Sequence, residues 1–193
     1  MFTDAIRTIQ TRKGSRDAYA RFERSGRTSR DIDADFAAFI EAQTSVFLGT
    51  ASADGQPYIQ HRGGPPGFLR VLDARTLAFV DYAGNRQYIS QGNLSENPLA
   101  FLFLVDFARL RRIKVWGRAR VVEADAALIE QLMPEGYPAR PEQVVIVEVT
   151  AWDENCPQHI PQRIDAADVR AAIESRDARI QALEAELARL SAV

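Results

Sequence analysis

The chain is poor in the residues that cross-link and coordinate. Cys156 is its only cysteine, and His61 and His159 are its only histidines. A single thiol excludes an internal disulfide. One thiol and two imidazoles in distant segments do not supply the four ligands of a structural zinc site, so no metal is expected. No apolar run is long enough to span a bilayer, and the opening MFTDAIRTIQTRKGS lacks the apolar centre of a signal peptide. A cytoplasmic protein is therefore expected. Neither a P-loop nor a GxGxxG pattern occurs, and no GxSxG elbow is present to carry a nucleophilic serine. Lysine is scarce as well, with two among 24 basic residues. That bias, with the many alanines, points to a GC-rich bacterial genome. No solenoid-type repeat is visible.

What is present suits a globular protein. Across 193 residues, 46% are hydrophobic and 26% charged, enough for one domain with a sizeable core and an appendage. A net charge of -2 argues against general nucleic-acid binding. The charge is uneven. Residues 1–30 carry Arg7, Arg12, Lys13, Arg16, Arg21, Arg24, Arg27 and Arg30 against three acidic residues. This basic N-terminal segment reads as a solvated arm or as a basic rim near an anionic ligand. Ile6 and Ile9 suggest a short amphipathic turn, and residues 11–30 read as irregular, with Gly14 and Gly26 as breakers.

From residue 31 the pattern becomes ordered. Asp31 or Asp33 can cap a helix over 35–42, with Phe36, Phe39 and Ile40 on one face. The run 44–51 is a strand, Asp54-Gly55 a hairpin turn, and 56–62 the partner strand. GGPPG makes a rigid turn, after which FLRVL and TLAFVD are joined through Asp73-Ala74-Arg75. Short strands linked by tight turns predict an antiparallel meander, hence a barrel or sandwich. After a polar loop come LAFLFLV (99–105) and RIKVWGRARVVE. The latter places Ile113, Val115 and Gly117 on one face and Lys114, Trp116 and Arg118 on the other, and a mid-strand Gly117 predicts a bulge or a close backbone approach. A short helix is expected over 125–133, a rigid connection through Pro134, Gly136, Pro138 and Pro141, and a last strand over 144–152. WDENCPQHIPQR reads as irregular. The tail, 165–190, is a helix with Val169, Ile173, Arg176, Ile180, Leu183, Leu187 and Leu190 at heptad spacing. With about three heptads it packs on the body or pairs with a second subunit.

The loop after TLAFVD holds Asn85, Arg86 and Gln87 together. A guanidinium with two amides suits a phosphate, bidentate at the arginine; the alternative is a solvated polar loop. Arg111 and Arg112 offer a second basic pair, on opposite faces of their strand. His61-Arg62-Gly63-Gly64 ends a strand, and its glycines would let a flat ligand approach the backbone, or simply make a turn. Cys156 is a packed thiol or a nucleophile. His159 is a proton donor or a hydrogen-bonded loop residue.

In order and spacing, DGQPYIQHR, LAFVDYAGNRQ, LSENPLAFLFL and RRIKVWGRARVVE together resemble the pyridoxamine 5′-phosphate oxidase-like flavoproteins over about residues 36–123. NCPQHIPQR resembles the same segment in a subgroup of that family. The resemblance implies a split β-barrel with flanking helices, spanning 31–164 between the basic segment 1–30 and the helix 165–193. It also implies a homodimer with FMN in a cleft between subunits. By the same resemblance Gln60, His61, Arg62 and Gly63 would contact the isoalloxazine and ribityl chain, Asn85, Arg86 and Gln87 the phosphate, and Arg111 and Arg112 would stand at the family's paired basic-or-amide positions. Residues 152–163 would close over the flavin, with Cys156 and His159 on the substrate side.

The chain departs from the authentic oxidase in three places. Gln60 replaces an arginine, Gln87 replaces a lysine, and the substrate-binding Arg-Leu-His-Asp-Arg element is absent. Pyridoxal phosphate synthesis is thus not expected. The expected function is flavin-mediated two-electron transfer on a small molecule. The rivals are a non-catalytic flavin binder, a deazaflavin or haem protein on the same fold, and an interaction module worked by the C-terminal helix.

Overall fold

The computed structural model describes residues 2–24 and 31–191. The chain divides into two compact units, one of residues 1–105 and 112–156, the other of residues 106–111 and 157–193.

The first unit opens with α1 (Asp4–Arg12) and α2 (Arg16–Arg24). Residues 11–30 were expected to be irregular, yet α2 forms within them. The reason is local. Thr3 accepts a capping bond from Ile6, and the Glu23 carboxylate accepts from both Arg16 and Arg7, tying α2 to α1. Those bonds hold Glu23 below the usual carboxylate range, Arg16 contributing most. Gly26, Arg27 and Arg30, part of the basic segment, lie outside the described residues. Helix α3 (Ala34–Glu41) is capped by Asp33, whose side chain accepts from the Phe36 amide at 2.8 Å. Its apolar face, Phe36, Phe39 and Ile40, is buried as the spacing predicted.

Seven antiparallel strands follow among the described residues: β1 (Ser45–Ala51), β2 (Pro57–Gly63), β3 (Leu69–Asp73), β4 (Thr76–Tyr82), β5 (Leu99–Asp106), β6 (Arg111–Glu123) and β7 (Pro141–Asn155). Their order in the sheet is β2-β1-β5-β6-β7-β4-β3. Both predicted hairpins are present, with Phe47 opposite His61 in one and Leu69 opposite Phe79 in the other. This is the split β-barrel. Its interior is one apolar cluster that includes Phe36, Leu48, Phe79, Leu102, Ile113 and Val147. A fully buried side chain of this kind contributes about 1.5–3 kcal/mol.

The alternation of β6 is as expected, with Ile113, Val115 and Ala119 buried. Gly117 marks both a bulge and a close approach. The register with β7 shifts between Trp116 and Gly117, and a Cβ at 117 would meet the Glu148 carbonyl oxygen at 2.7 Å. Helix α5 (Ala126–Leu132), capped by Asp125, buries Leu132 in a second cluster with Ala78, Val80 and Val144.

Two stretches differ from the sequence reading. Strand β7 runs through Pro141 and on to Asn155, beyond the expected 144–152, because it pairs with β4 and with the whole of β6. Asp153, Glu154 and Asn155, expected in irregular structure, continue this strand; Trp152, the last residue of the expected strand, has its ring 4.3 Å from Phe36 and donates its indole N–H to the Asp31 carbonyl at 3.0 Å. Inside the polar loop, α4 (Ile89–Glu96) forms around Gly92, where no apolar period had announced a helix.

In the second unit, the segments 106–111 and 157–163 are joined by Arg163, whose amide donates to the Phe107 carbonyl at 3.2 Å and whose guanidinium lies 4.7 Å from the Phe107 ring centre. Helix α6 (Ala166–Ser191) follows, and none of its residues is buried.

Candidate functional site

Strand β2 alternates between two faces. Tyr58, Gln60 and Arg62 point to one, Ile59 and His61 to the other. The first face, the end of β4 and the loop leading into α4 enclose a cleft of about 230 Å³. Gln60, Arg62, Asn85, Arg86 and Gln87 all line it. Two segments distant in sequence are thus brought together.

The β2 wall is internally paired. Tyr58 donates its hydroxyl to Gln60. Arg62 Nε lies 2.7 Å from Asp81 Oδ1, within ion-pair reach but without an aligned hydrogen bond. Arg62 Nη2 donates to Asp81 Oδ2 at 3.4 Å, and Gln143 donates to the same oxygen at 3.1 Å. The Arg62 charge is therefore already answered within the protein.

The opposite wall is built from residues 85–91. The Asn85 carboxamide accepts from the Gln87 amide at 3.3 Å, a side-chain-closed turn. Arg86 and Tyr88 both adopt left-handed backbone, with φ of 59° and 53°. For residues other than glycine such conformations cost about 1–3 kcal/mol each and concentrate at ligand sites. Tyr88 occupies the N-cap of α4 but makes no capping bond, and the first turn holds no acidic residue. The partial positive charge of that helix end is left unanswered by any side chain of the cap. Arg86 Nε donates to the Tyr88 hydroxyl at 3.1 Å, which itself donates to Glu142 at 2.8 Å. These contacts, the tyrosine first, hold Arg86 firmly protonated.

Two orphaned hydroxyls belong to residues that line the cleft. Ser90, in the first turn of α4, is only 8% exposed, and its Oγ is buried without a hydrogen-bond partner. The Tyr82 hydroxyl, also buried, has none either, and burial pushes its pKa up. A buried hydroxyl left unsatisfied costs about 1–3 kcal/mol, a cost that a bound acceptor would remove. The sequence reading passed over Ser90, Tyr88, Asp81 and Glu142. Ser90 and Tyr88 stand beside the loop motif but carry no periodicity, and Glu142 is brought in by β7 from across the sheet.

A smaller cleft of about 170 Å³ shares Arg62, Asp81 and Tyr82 with the first and is also lined by His61 and Gly63. The His61 ring nitrogen Nε2 is 2.8 Å from Ser45 Oγ, and the ring stands edge-on to Phe47. The glycines here serve the protein's own packing. A Cβ at Gly64 would meet Phe68 Cβ at 2.6 Å, so the expected open approach for a flat ligand is filled at that residue.

The remaining candidates lie elsewhere. Arg112, the second residue of β6, stands opposite Asn155 and lines neither cleft. Arg111 belongs to the second unit. Cys156 is free and exposed in the first unit, while His159, at φ 65°, sits in a turn of the second. Among the described residues no three His, Cys, Asp or Glu side chains stand together as a metal site, and no helix is long and apolar enough to cross a membrane.

The sequence model of the pyridoxamine 5′-phosphate oxidase family matches residues 32–156. No curated protein sequence matches. Among solved structures, the chain is similar to HupZ of Group A Streptococcus, with 17% identity over 68% of this chain and 99% of that one and a TM-score of 0.49. It is also similar to a putative pyridoxamine 5′-phosphate oxidase from Lactobacillus delbrueckii, with 22% identity over 65% and 95% and a TM-score of 0.47. A third is HutZ, the haem storage protein of Vibrio cholerae, with 15% identity over 64% and 94% and a TM-score of 0.43.

Proposed function

The chain belongs to the pyridoxamine 5′-phosphate oxidase family, and we propose that it is an FMN-binding oxidoreductase acting on a small molecule. The observation that carries this reading is the buried, partnerless Ser90 Oγ at the uncapped start of α4, in a residue that lines the same cleft as Arg86. A serine hydroxyl, a guanidinium and a helix N-terminus in residues lining one cleft make the donor set of a phosphate site.

In this reading Ser90, Arg86 and the first-turn amides of α4 hold the phosphate. Asn85 shapes the turn that presents Arg86. Gln60 and Arg62 line the path toward the smaller cleft, where His61 and Gly63 border the ring. FMN, when bound, supplies two-electron chemistry, and the protein contributes binding, orientation and access. Ser45 fixes the His61 ring and so sets which nitrogen His61 presents. The absence of the Arg-Leu-His-Asp-Arg element argues for a substrate other than pyridoxamine phosphate.

A homodimer completes the reading. Phe47, Ile59 and Leu99 share the outer face of β2-β1-β5 with His61 and are exposed, Ile59 to 68%. An apolar sheet face of this kind calls for a partner surface, and His61 would place the ring border there. The test is direct. Protein loaded with FMN should show oxidised-flavin absorption that NADH or NADPH bleaches and air restores. Failure to take up added FMN would overturn the proposal.

A further inference from the structure

We infer that α6 is a dimerisation helix that pairs, parallel and in register, with α6 of a second copy of this chain. The helix is 26 residues long and buries none of them. Its apolar residues are well exposed, Leu187 to 68% and Leu190 to 72%. The alternating spacing fixes the phase of the heptad. Ile173, Ile180 and Leu187 take the a positions, and Val169, Leu183 and Leu190 take d. Isoleucine at a with leucine at d is the combination that favours two parallel strands.

Charge selects the partner and the direction. Arg176 is the one polar residue in the seam, at d, and Asp177 follows at e. In a parallel pair a d side chain enters a hole that the e residue of the other helix helps to form, so Arg176 meets Asp177 of the second copy. Arg179 at g lies five residues before Glu184 at e, the spacing of an interhelical pair in parallel register. Two-fold symmetry doubles both pairings. An antiparallel pair at full overlap, with Ile180 level with Arg176, would instead set Asp177 against Asp177 and Arg179 against Arg179. The helix is thus complementary to itself in one orientation, which an unrelated helix would match only by coincidence. Arg176 weakens the seam, and that keeps so short a coil reversible.

The test uses the full chain with Cys156→Ser, so that the only thiol is the one introduced. Leu190→Cys in this background should oxidise to a covalent dimer at least tenfold faster than Ala185→Cys, which lies on the outer face of the helix. An antiparallel pair would hold the two 190 positions about 36 Å from each other's level along the axis and would not link them. Adding Leu183→Glu should bring the Leu190→Cys rate down to that of the outer-face control. Equal rates for Leu190→Cys and Ala185→Cys would overturn the proposal. So would linking that survives Leu183→Glu, since proximity would then come from elsewhere than the seam.

Discussion

The two walls of the cleft each carry one arginine, but they hold it differently. On the β2 wall Arg62 is 20% exposed and its charge is met by Asp81, 13% exposed, with Gln143 bracing the same carboxylate. On the 85–91 wall Arg86 is exposed and leans on a neutral tyrosine hydroxyl. The formal charges lining the cleft balance, Arg62 and Arg86 against Asp81 and Glu142. Attraction for an anion cannot come from net charge. In the proposed site it would come from arrangement: a guanidinium held by a neutral hydroxyl, a serine hydroxyl without a partner and an uncapped helix end. In the proposed function the β2 wall would give shape and the loop–helix wall grip.

Four substitutions probe that contrast. Ser90→Asp places a carboxylate where the phosphate should sit. FMN affinity should fall about a hundredfold or more, by about 2.7 kcal/mol, while circular dichroism confirms the fold and riboflavin affinity changes little. Arg86→Ala removes a charge-assisted contact worth about 1.5–3 kcal/mol, so FMN should bind roughly tenfold to a hundredfold more weakly by fluorescence titration. Asp81→Asn tests the other wall with the opposite sign. Releasing Arg62 should tighten FMN binding by about threefold to tenfold, and a loss of affinity would mean that Arg62 serves shape alone. Tyr88→Phe removes the hydroxyl that steadies Arg86, and FMN affinity should fall by only about threefold, on the scale of one hydrogen bond.

The same contrast explains what the sequence made legible. Strand periodicity and turn chemistry are local, so the hairpins around Asp54-Gly55 and Asp73-Arg75, the Asp33-capped helix and the alternation of β6 could all be read in advance. Gln60, Arg62, Asn85, Arg86 and Gln87 line one cleft. The pairings of those residues could not be read. Nothing near Arg62 in sequence announces that Asp81 neutralises it, because that contact depends on β2 and β4 meeting across the fold. Helix α4 was hidden for a different reason. Its eight residues include Gly92 and carry no apolar stripe, so Ser90 read as one more polar loop residue. At the N-terminus, composition suggested an arm because eight basic residues dominate. Within residues 4–24, the bonds from Arg7 and Arg16 to a single glutamate tie two helices together.

The loop–helix wall is proposed to recognise a phosphate, a role that flavin binding can test. It is tested most directly by titrating the protein with FMN and, separately, with riboflavin, following flavin fluorescence. The two ligands share the ring and the ribityl chain and differ only in the phosphate. FMN is expected to bind at least about a hundredfold more tightly, on the order of 2.7 kcal/mol, and Arg86→Ala to narrow the gap. Equal affinities for the two flavins would contradict it.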